Sequence, residues 1–233
     1  MELIKNGQWN SEAFDDETQL EDIVGFNNST NAKECLKYIP DSFAIDTDEF
    51  YRQGMVNHKL QSIGMYCNLA WEWINPLADL LKGSKVLEVM SGRGWLSLAL
   101  DSMGIDIIAV DDCSWSESLE SGFPAFKSLD DKLFPTINLD AVDAIMKYGS
   151  DIDYVIMTWP PYSEDSASRV VDAIQKINPK IKLIYCGEGH EGCTADDDFF
   201  GKVELSHIPG VSENYKRRFG LYDNIYLATP ITK

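Results

Sequence analysis

The pattern of apolar and polar positions predicts a regular succession of helices and strands. Apolar residues recur at helical spacing between residues 50 and 83, which predicts helices that end at Gly83. From there, short apolar runs typical of strands alternate with amphipathic stretches typical of helices. The predicted strands are 85–90, 105–111, 136–139, 153–159 and 181–187, and the predicted helices are 94–104, 141–149 and 164–177. This alternation indicates a parallel sheet that is covered on both faces.

The end of the chain follows a different pattern. After a short helix predicted at 195–201, two extended segments, 203–208 and 223–231, are joined by a stretch with no helix to cross over the sheet. We therefore predict an α/β fold with a doubly wound, mostly parallel seven-stranded sheet, helices on both faces and a C-terminal antiparallel hairpin. The domain prediction is an acidic N-terminal leader and helical cap, 1–69, before a core of residues 70–233.

The charge of the chain is strongly negative. The formal net charge is −18 over 233 residues, and residues 1–50, with twelve acids and three lysines, supply half of it. A duplex-binding surface needs a clustered excess of Lys and Arg, so nucleic acid is disfavoured as a partner. The acidic N-terminal segment is interpreted as a solvated surface, with a docking surface for a basic protein, or a DNA mimic, as the alternative.

Other features of the composition indicate a cytoplasmic protein. No apolar run is long enough to span a bilayer, and the N-terminus lacks the pattern of a secretion signal. The five cysteines are odd in number and never spaced as Cys-x-x-Cys, which favours reduced thiols and no metal site.

The stretch "KVLEVMSGRGWLSLAL" contains a glycine turn between a predicted strand and a predicted helix. In a parallel sheet the turn after the first strand approaches the ligand most closely, and Gly92 and Gly94 carry no Cβ to obstruct it. Glu88, near the strand end, suits an ammonium or sugar hydroxyls better than a pyrophosphate. Ser97 occupies the third glycine position of the dinucleotide fingerprint, which disfavours the alternative of a nicotinamide-dependent oxidoreductase.

Acids follow the next two predicted strands. Asp111 and Asp112 end the second strand, where a carboxylate can accept both ribose hydroxyls, or can cap a helix. Asp140 and Ala141 follow the third strand, where they can meet an adenine edge or begin a helix.

The order of these pieces resembles the class I S-adenosylmethionine-dependent methyltransferases over residues 70–230. "LEVMSGRG", "AVDD", "LDA" and "DYVIMTWPPY" stand where that family has its first four motifs. The resemblance implies S-adenosyl-L-methionine as cofactor and an in-line methyl transfer. The chain departs from the family at Met90, where most members have the first glycine, and this departure predicts a shifted turn. By position, the resemblance implies cofactor contacts from Glu88, Ser91, Gly92, Gly94, Asp111, Asp140, Ala141 and Thr158.

The fourth motif carries the candidate substrate residues. In the amino-methylating branch of the family, a polar side chain and the next carbonyl accept hydrogen bonds from a planar amine, and an aromatic ring stacks on it. By this resemblance the carbonyl is that of Pro160 and the ring that of Tyr162, but Trp159 stands at the polar position and its indole can only donate. This favours a small or planar substrate, with nucleic-acid amino-methylation as the alternative.

Two further segments contain candidate functional residues. Glu188 ends the strand at 181–187 and is a candidate general base or amine anchor, and Thr194 with Asp197 predicts a helix cap. Lys216, Arg217 and Arg218 form a basic patch that could dock a phosphate or an acidic substrate, or could be a surface turn. A third class of function is a non-catalytic adenosyl-binding protein with an acidic interaction surface.

Overall fold

Seven strands form the central sheet of the computed structural model. The structure describes residues 2–15, 17, 18, 20, 29–114, 132–162, 164–218 and 220–231. The strands are β1 (Lys85–Val89), β2 (Asp106–Asp111), β3 (Thr136–Asn138), β4 (Tyr154–Thr158), β5 (Lys182–Gly187), β6 (Val203–His207) and β7 (Asn224–Pro230). A separate two-stranded hairpin pairs Ile4–Lys5 with Gln8–Trp9.

The strand order is β3-β2-β1-β4-β5-β7-β6. The first five strands in this order are parallel, and β7 runs antiparallel to both β5 and β6. The order reverses between the neighbours β1 and β4, so the carboxyl ends of these two strands form the switch point where open α/β sheets bind ligands. Because β7 is antiparallel, its first residue, Asn224, lies beside Gly187 at that same edge.

Six α-helices accompany the strands in the described part of the chain. They are α1 (Phe50–Ser62), α2 (Trp71–Leu81), α3 (Trp95–Ser102), α4 (Ala141–Tyr148), α5 (Ser166–Ile177) and α6 (Asp197–Lys202). Short 3-10 segments occupy Ser11–Ala13, Ser29–Tyr38 and Gly149–Asp151. No helix among the described residues is long and apolar enough to cross a membrane.

The helices bury their apolar sides in two cores, one on each face of the sheet. The first core contains residues of α1, α2 and α3 with Val86 and Ile156 of the sheet. The second contains residues of α4, α5 and α6 with Leu87 and Val155, which point to the opposite face. Successive strand residues therefore serve different cores, as the period of a strand requires. The predicted fold class is confirmed.

The described N-terminal residues share the first core with the sheet. Trp9 and Phe14 are 1% and 2% exposed and meet edge to face with ring centroids 5.9 Å apart. The backbone amide of Trp9 donates to the Ala44 carbonyl, and its own carbonyl accepts from Asp46. The acidic segment thus contains buried aromatic anchors. The division at residue 69 remains a prediction.

Candidate functional site

The glycine turn joins β1 to α3 at the switch point. Met90 adopts a left-handed backbone with φ 55°, followed by Gly92 at 53° and Gly94 at 76°. The conformation that a glycine would supply is therefore present at Met90, at a cost of about 1 kcal/mol for a residue with a side chain. The Met90 side chain packs against the second core, which offsets that cost.

A side chain is disfavoured at Gly92 and at Gly94 for different physical reasons. A Cβ added at Gly94 would lie 2.7 Å from the Cβ of Phe134, so packing alone excludes a side chain there. A Cβ at Gly92 would meet no atom within 4 Å, so only the backbone angle disfavours it. The open space beside Gly92 is the space that a ligand at the carboxyl edge would fill.

Glu88 is a buried carboxyl group behind this turn. It is 1% exposed, accepts a short hydrogen bond from the Ser97 hydroxyl, and faces the Thr158 side chain at the end of β4. Burial raises the pKa of Glu88 to about 7, against the opposing effect of the Ser97 hydrogen bond. A positive group placed nearby would favour the charged form, so Glu88 is suited to respond to an ammonium.

Asp111 fastens the glycine turn to β2. Its Oδ2 accepts from the Gly92 amide at 2.8 Å, and its Oδ1 accepts from the Cys113 amide at 2.7 Å. An ionised carboxylate has about four acceptor sites, so these bonds are compatible with the predicted ribose contact. Asp112 is exposed and accepts from the Ser114 amide, and the helix predicted to follow it lies outside the described residues.

Asp140 caps helix α4. Its Oδ1 accepts from the amides of Val142 at 2.8 Å and Asp143 at 3.2 Å, and Ala141, the first helical residue, is 7% exposed. The capping alternative is therefore present in the structure, and the adenine contact remains a prediction.

The Trp-Pro-Pro-Tyr loop leaves β4 through another left-handed residue. Trp159 has φ 51°, and its amide donates to the Cys186 carbonyl of β5 at 2.8 Å. The Pro160 carbonyl, the second acceptor of an amine clamp, already accepts from the Ala195 amide at 3.0 Å. Tyr162 is 51% exposed, so its ring is open to a stacking partner.

Glu188 holds two loops together. It is 8% exposed, its Oε2 accepts from the Cys193 amide at 2.7 Å and its Oε1 from the Tyr222 amide at 2.8 Å. Burial would raise the pKa of Glu188, but these amide hydrogen bonds outweigh it and the net pKa is lowered. A lowered pKa weakens a general base. The role of amine anchor remains a prediction.

The predicted cap at Thr194 is wrong. The residue that caps α6 is Asp196, whose side chain accepts from the Phe199 amide. The Thr194 hydroxyl instead accepts from the Glu188 amide at 2.8 Å and shares a hydrogen bond with the Tyr185 hydroxyl. Its contacts are made across the loop, which local spacing does not reveal.

The predicted basic patch is also wrong in part. Lys216 and Arg217 are exposed, and the Arg217 guanidinium lies 4.8 Å from the Tyr222 ring centre, but Arg218 is 2% exposed. Phe219, the next residue along the chain, lies outside the described residues.

Arg218 belongs instead to a buried polar group that the sequence did not reveal. Its Nε donates to the Asn68 side chain and its Nη2 to the Met65 carbonyl, each at 2.5 Å. Tyr215 donates to the Asp223 carboxylate at 2.5 Å. The sequence feature that could have indicated this group is the position of Asp223. It directly precedes an antiparallel strand, and such a strand begins at the carboxyl edge of its parallel neighbours. The described residues contain no cluster suited to a metal ion.

Comparison with known proteins gives likeness of structure only. No protein-family model matches the chain, and no curated protein matches it. A TehB-like SAM-dependent methyltransferase from Corynebacterium glutamicum is similar over 78% of this chain and 100% of its own, at 12% identity and a TM-score of 0.46. Magnesium protoporphyrin IX methyltransferase (ChlM) from Synechocystis, solved with bound SAM, is similar over 92% and 98%, at 14% identity and a TM-score of 0.43.

Proposed function

We propose that the chain is an S-adenosylmethionine-dependent methyltransferase that acts on a small or planar substrate. The observation that carries this proposal is the turn at the switch point. Its backbone is left-handed at the three residues 90, 92 and 94, it is tied to the acid that ends β2, and it opens at Gly92. This arrangement suits a ligand that has an adenosyl group and an amino acid end.

The chain's own residues would hold the two ends of such a cofactor. Glu88, whose burial raises its pKa to about 7, would respond to the ammonium of the methionine end, and Asp111 would accept from the ribose. Asp140 and Ala141 would lie toward the adenine. The cofactor supplies a methyl group on a sulfonium, and the protein contributes chiefly by holding an acceptor in line with it.

The substrate site would lie at the Trp-Pro-Pro-Tyr loop. The exposed Tyr162 ring supports stacking on a flat group. Two observations weigh against the amine clamp of nucleobase methylation: Trp159 offers no acceptor, and the Pro160 carbonyl already receives an amide. The net charge of −18 adds to the case against long nucleic acid.

Calorimetric titration with S-adenosylmethionine, S-adenosylhomocysteine and NAD tests the cofactor. The decisive variant is Gly92→Ala, since its Cβ fits the protein but enters the proposed ligand space. The matched control is Gly104→Ala, at φ 82° with nothing within 4 Å and in the turn after α3, which carries the same backbone strain away from the site.

We expect both adenosyl compounds to bind the parent protein and Gly104→Ala, and to bind Gly92→Ala at least about tenfold more weakly. Binding of NAD alone would replace the proposal with an oxidoreductase. Folded protein that binds none of the three would contradict the proposal and would favour the non-catalytic interaction protein.

A further inference from the structure

Two buried cysteines from distant parts of the chain meet near the carboxyl edge of the sheet. Cys67 lies in the segment between α1 and α2, and Cys186 is the next-to-last residue of β5. They are 119 positions apart, yet their sulfur atoms lie 3.4 Å from each other in a hydrogen bond. Both are free thiols, and they are 8% and 1% exposed. We call these two residues the Cys67–Cys186 pair.

The two sulfur atoms are near enough for a disulfide to form with a small shift. The sulfurs must approach by about 1.4 Å to reach an S–S bond length of about 2.05 Å. Cys186 is held in the sheet, where it pairs with Thr158 of β4 and Ile225 of β7. Residues 65–70, which include Cys67, form neither helix nor strand. The shift therefore falls on the Cys67 side of the pair.

Tyr215 sets the direction of the Cys67 thiol. The Tyr215 hydroxyl oxygen accepts from the Cys67 thiol at 3.9 Å and from the Asn68 amide at 3.3 Å. Because a thiol has one hydrogen, Cys186 is then the donor to the Cys67 sulfur. Burial and this hydrogen bond raise the pKa of the Cys186 thiol well above its ordinary value. Cys67, the more exposed of the two, is therefore the sulfur that an oxidant meets first.

We propose that the Cys67–Cys186 pair is a redox-sensitive link, which a small hydroperoxide such as hydrogen peroxide oxidises to a disulfide and a dithiol reduces again. The disulfide joins the segment before α2 to the strand whose Cys186 carbonyl accepts from the Trp159 amide. It thus fastens the N-terminal part of the chain beside the Trp-Pro-Pro-Tyr loop. This inference does not depend on the proposed function.

The oxidation proceeds in two balanced steps. The Cys67 sulfur attacks one peroxide oxygen and breaks the O–O bond, the departing hydroxide takes the thiol proton to become water, and Cys67 becomes a sulfenic acid. The Cys186 sulfur then attacks the Cys67 sulfur, so that an S–S bond forms, the S–O bond breaks, and the Cys186 proton leaves with the hydroxide as a second water. The two thiols lose two electrons, and the peroxide gains them.

The position of Cys186 determines the product of oxidation. A sulfenic acid without a neighbouring thiol can be oxidised further to a sulfinic acid, whereas one beside a thiol condenses with it to a disulfide. Cys186 lies 3.4 Å from Cys67 before any reaction, so the second step needs no encounter between distant groups. Cys193, which is exposed, provides the matched control thiol.

Peptide mapping of the full-length protein tests the link. The folded protein is treated with hydrogen peroxide, its remaining thiols are blocked with iodoacetamide in urea, and the digest is analysed by mass spectrometry with and without dithiothreitol. We expect a peptide pair joined through Cys67 and Cys186, which dithiothreitol separates. A sample unfolded in urea before the peroxide treatment should give a mixture of pairings among its five cysteines.

Thermal unfolding measures the effect of the link. The oxidised parent should melt at least about 5 °C above the reduced parent, because the disulfide constrains the unfolded chain across 119 positions. Cys67→Ala and Cys186→Ala should lose both the joined peptide and this rise, whereas Cys193→Ala, which removes an exposed thiol, should keep both. The mapping of the parent protein requires no variant to fold.

The proposal would be overturned if peroxide left Cys67 and Cys186 unlinked in the folded protein or converted Cys67 to a sulfinic acid. A disulfide through Cys193 in place of the expected one would also overturn it, as would a link that forms only after unfolding in urea. A joined peptide without a rise in melting temperature would refute the fastening of the N-terminal part of the chain.

Discussion

Replacing Glu88 by Gln should remove a large pH dependence of folding stability. In the folded protein burial raises the pKa of Glu88 to about 7 from an ordinary value of 4.5. Between these two pH values the folded state binds more protons than the unfolded state, so the free energy of unfolding falls as pH rises. At 1.36 kcal/mol per pH unit the full fall is about 3 kcal/mol. It is complete above about pH 7.

Urea unfolding at pH 5 and pH 8 measures this effect. Because Gln is uncharged and keeps an acceptor for the Ser97 hydroxyl, the free energy of unfolding of Glu88→Gln should rise by about 2.5 kcal/mol relative to that of the parent protein between pH 5 and pH 8. The control is Glu204→Gln, which removes an exposed carboxylate from β6 and should leave the parent pH dependence unchanged.

A Glu88→Gln variant with the same change in stability between pH 5 and pH 8 as the parent would refute the reasoning. It would mean that Glu88 is charged in the folded protein at little cost, either through water that reaches it or through a cation beside it.

Three further substitutions test other parts of the site by chemical unfolding. Gly94→Ala should destabilise by about 3 kcal/mol, because the Phe134 clash adds to the backbone strain, and equal stability with Gly104→Ala would contradict this. Asp140→Ala should lower the free energy of unfolding by about 1 kcal/mol and Asp140→Asn by much less, and equal values for the two variants would contradict the capping role. Glu188→Gln should lose about 2 kcal/mol at pH 7, because one amide then faces an NH₂ group. Since its folded pKa is lowered, Glu188 should stabilise the folded protein above pH 4.5 and lose this effect in acid. A difference in the free energy of unfolding between the parent and Glu188→Gln that is the same at pH 7 and pH 3 would refute this.

The fold was predictable because its strands and helices are encoded locally. Apolar runs such as that of β4 have the length and flanking turns of buried strands, and the observed strand Tyr154–Thr158 lies within the predicted 153–159. The carboxyl-edge residues of β1 and β2 were predictable for the same reason, since strand ends fix which side chains share an edge.

The remaining features depend on contacts between distant parts of the chain. Arg218 is buried because it meets Asn68, 150 positions away, and nothing in "YKRRFG" indicates this. Likewise, Glu188 accepts hydrogen bonds from the backbone amides of residues 193 and 222, which lower its pKa and weaken it as a base. The pKa of Glu88 depends on how completely α3 and β4 cover it, which a strand pattern cannot specify.

The left-handed residues at the ends of β1 and β4 have a consequence for selection experiments. Met90 and Trp159 leave adjacent central strands in a conformation that costs about 1 kcal/mol each for residues with a side chain. Glycine or asparagine would relieve that cost. A library selected for heat resistance alone should therefore enrich such replacements at both positions.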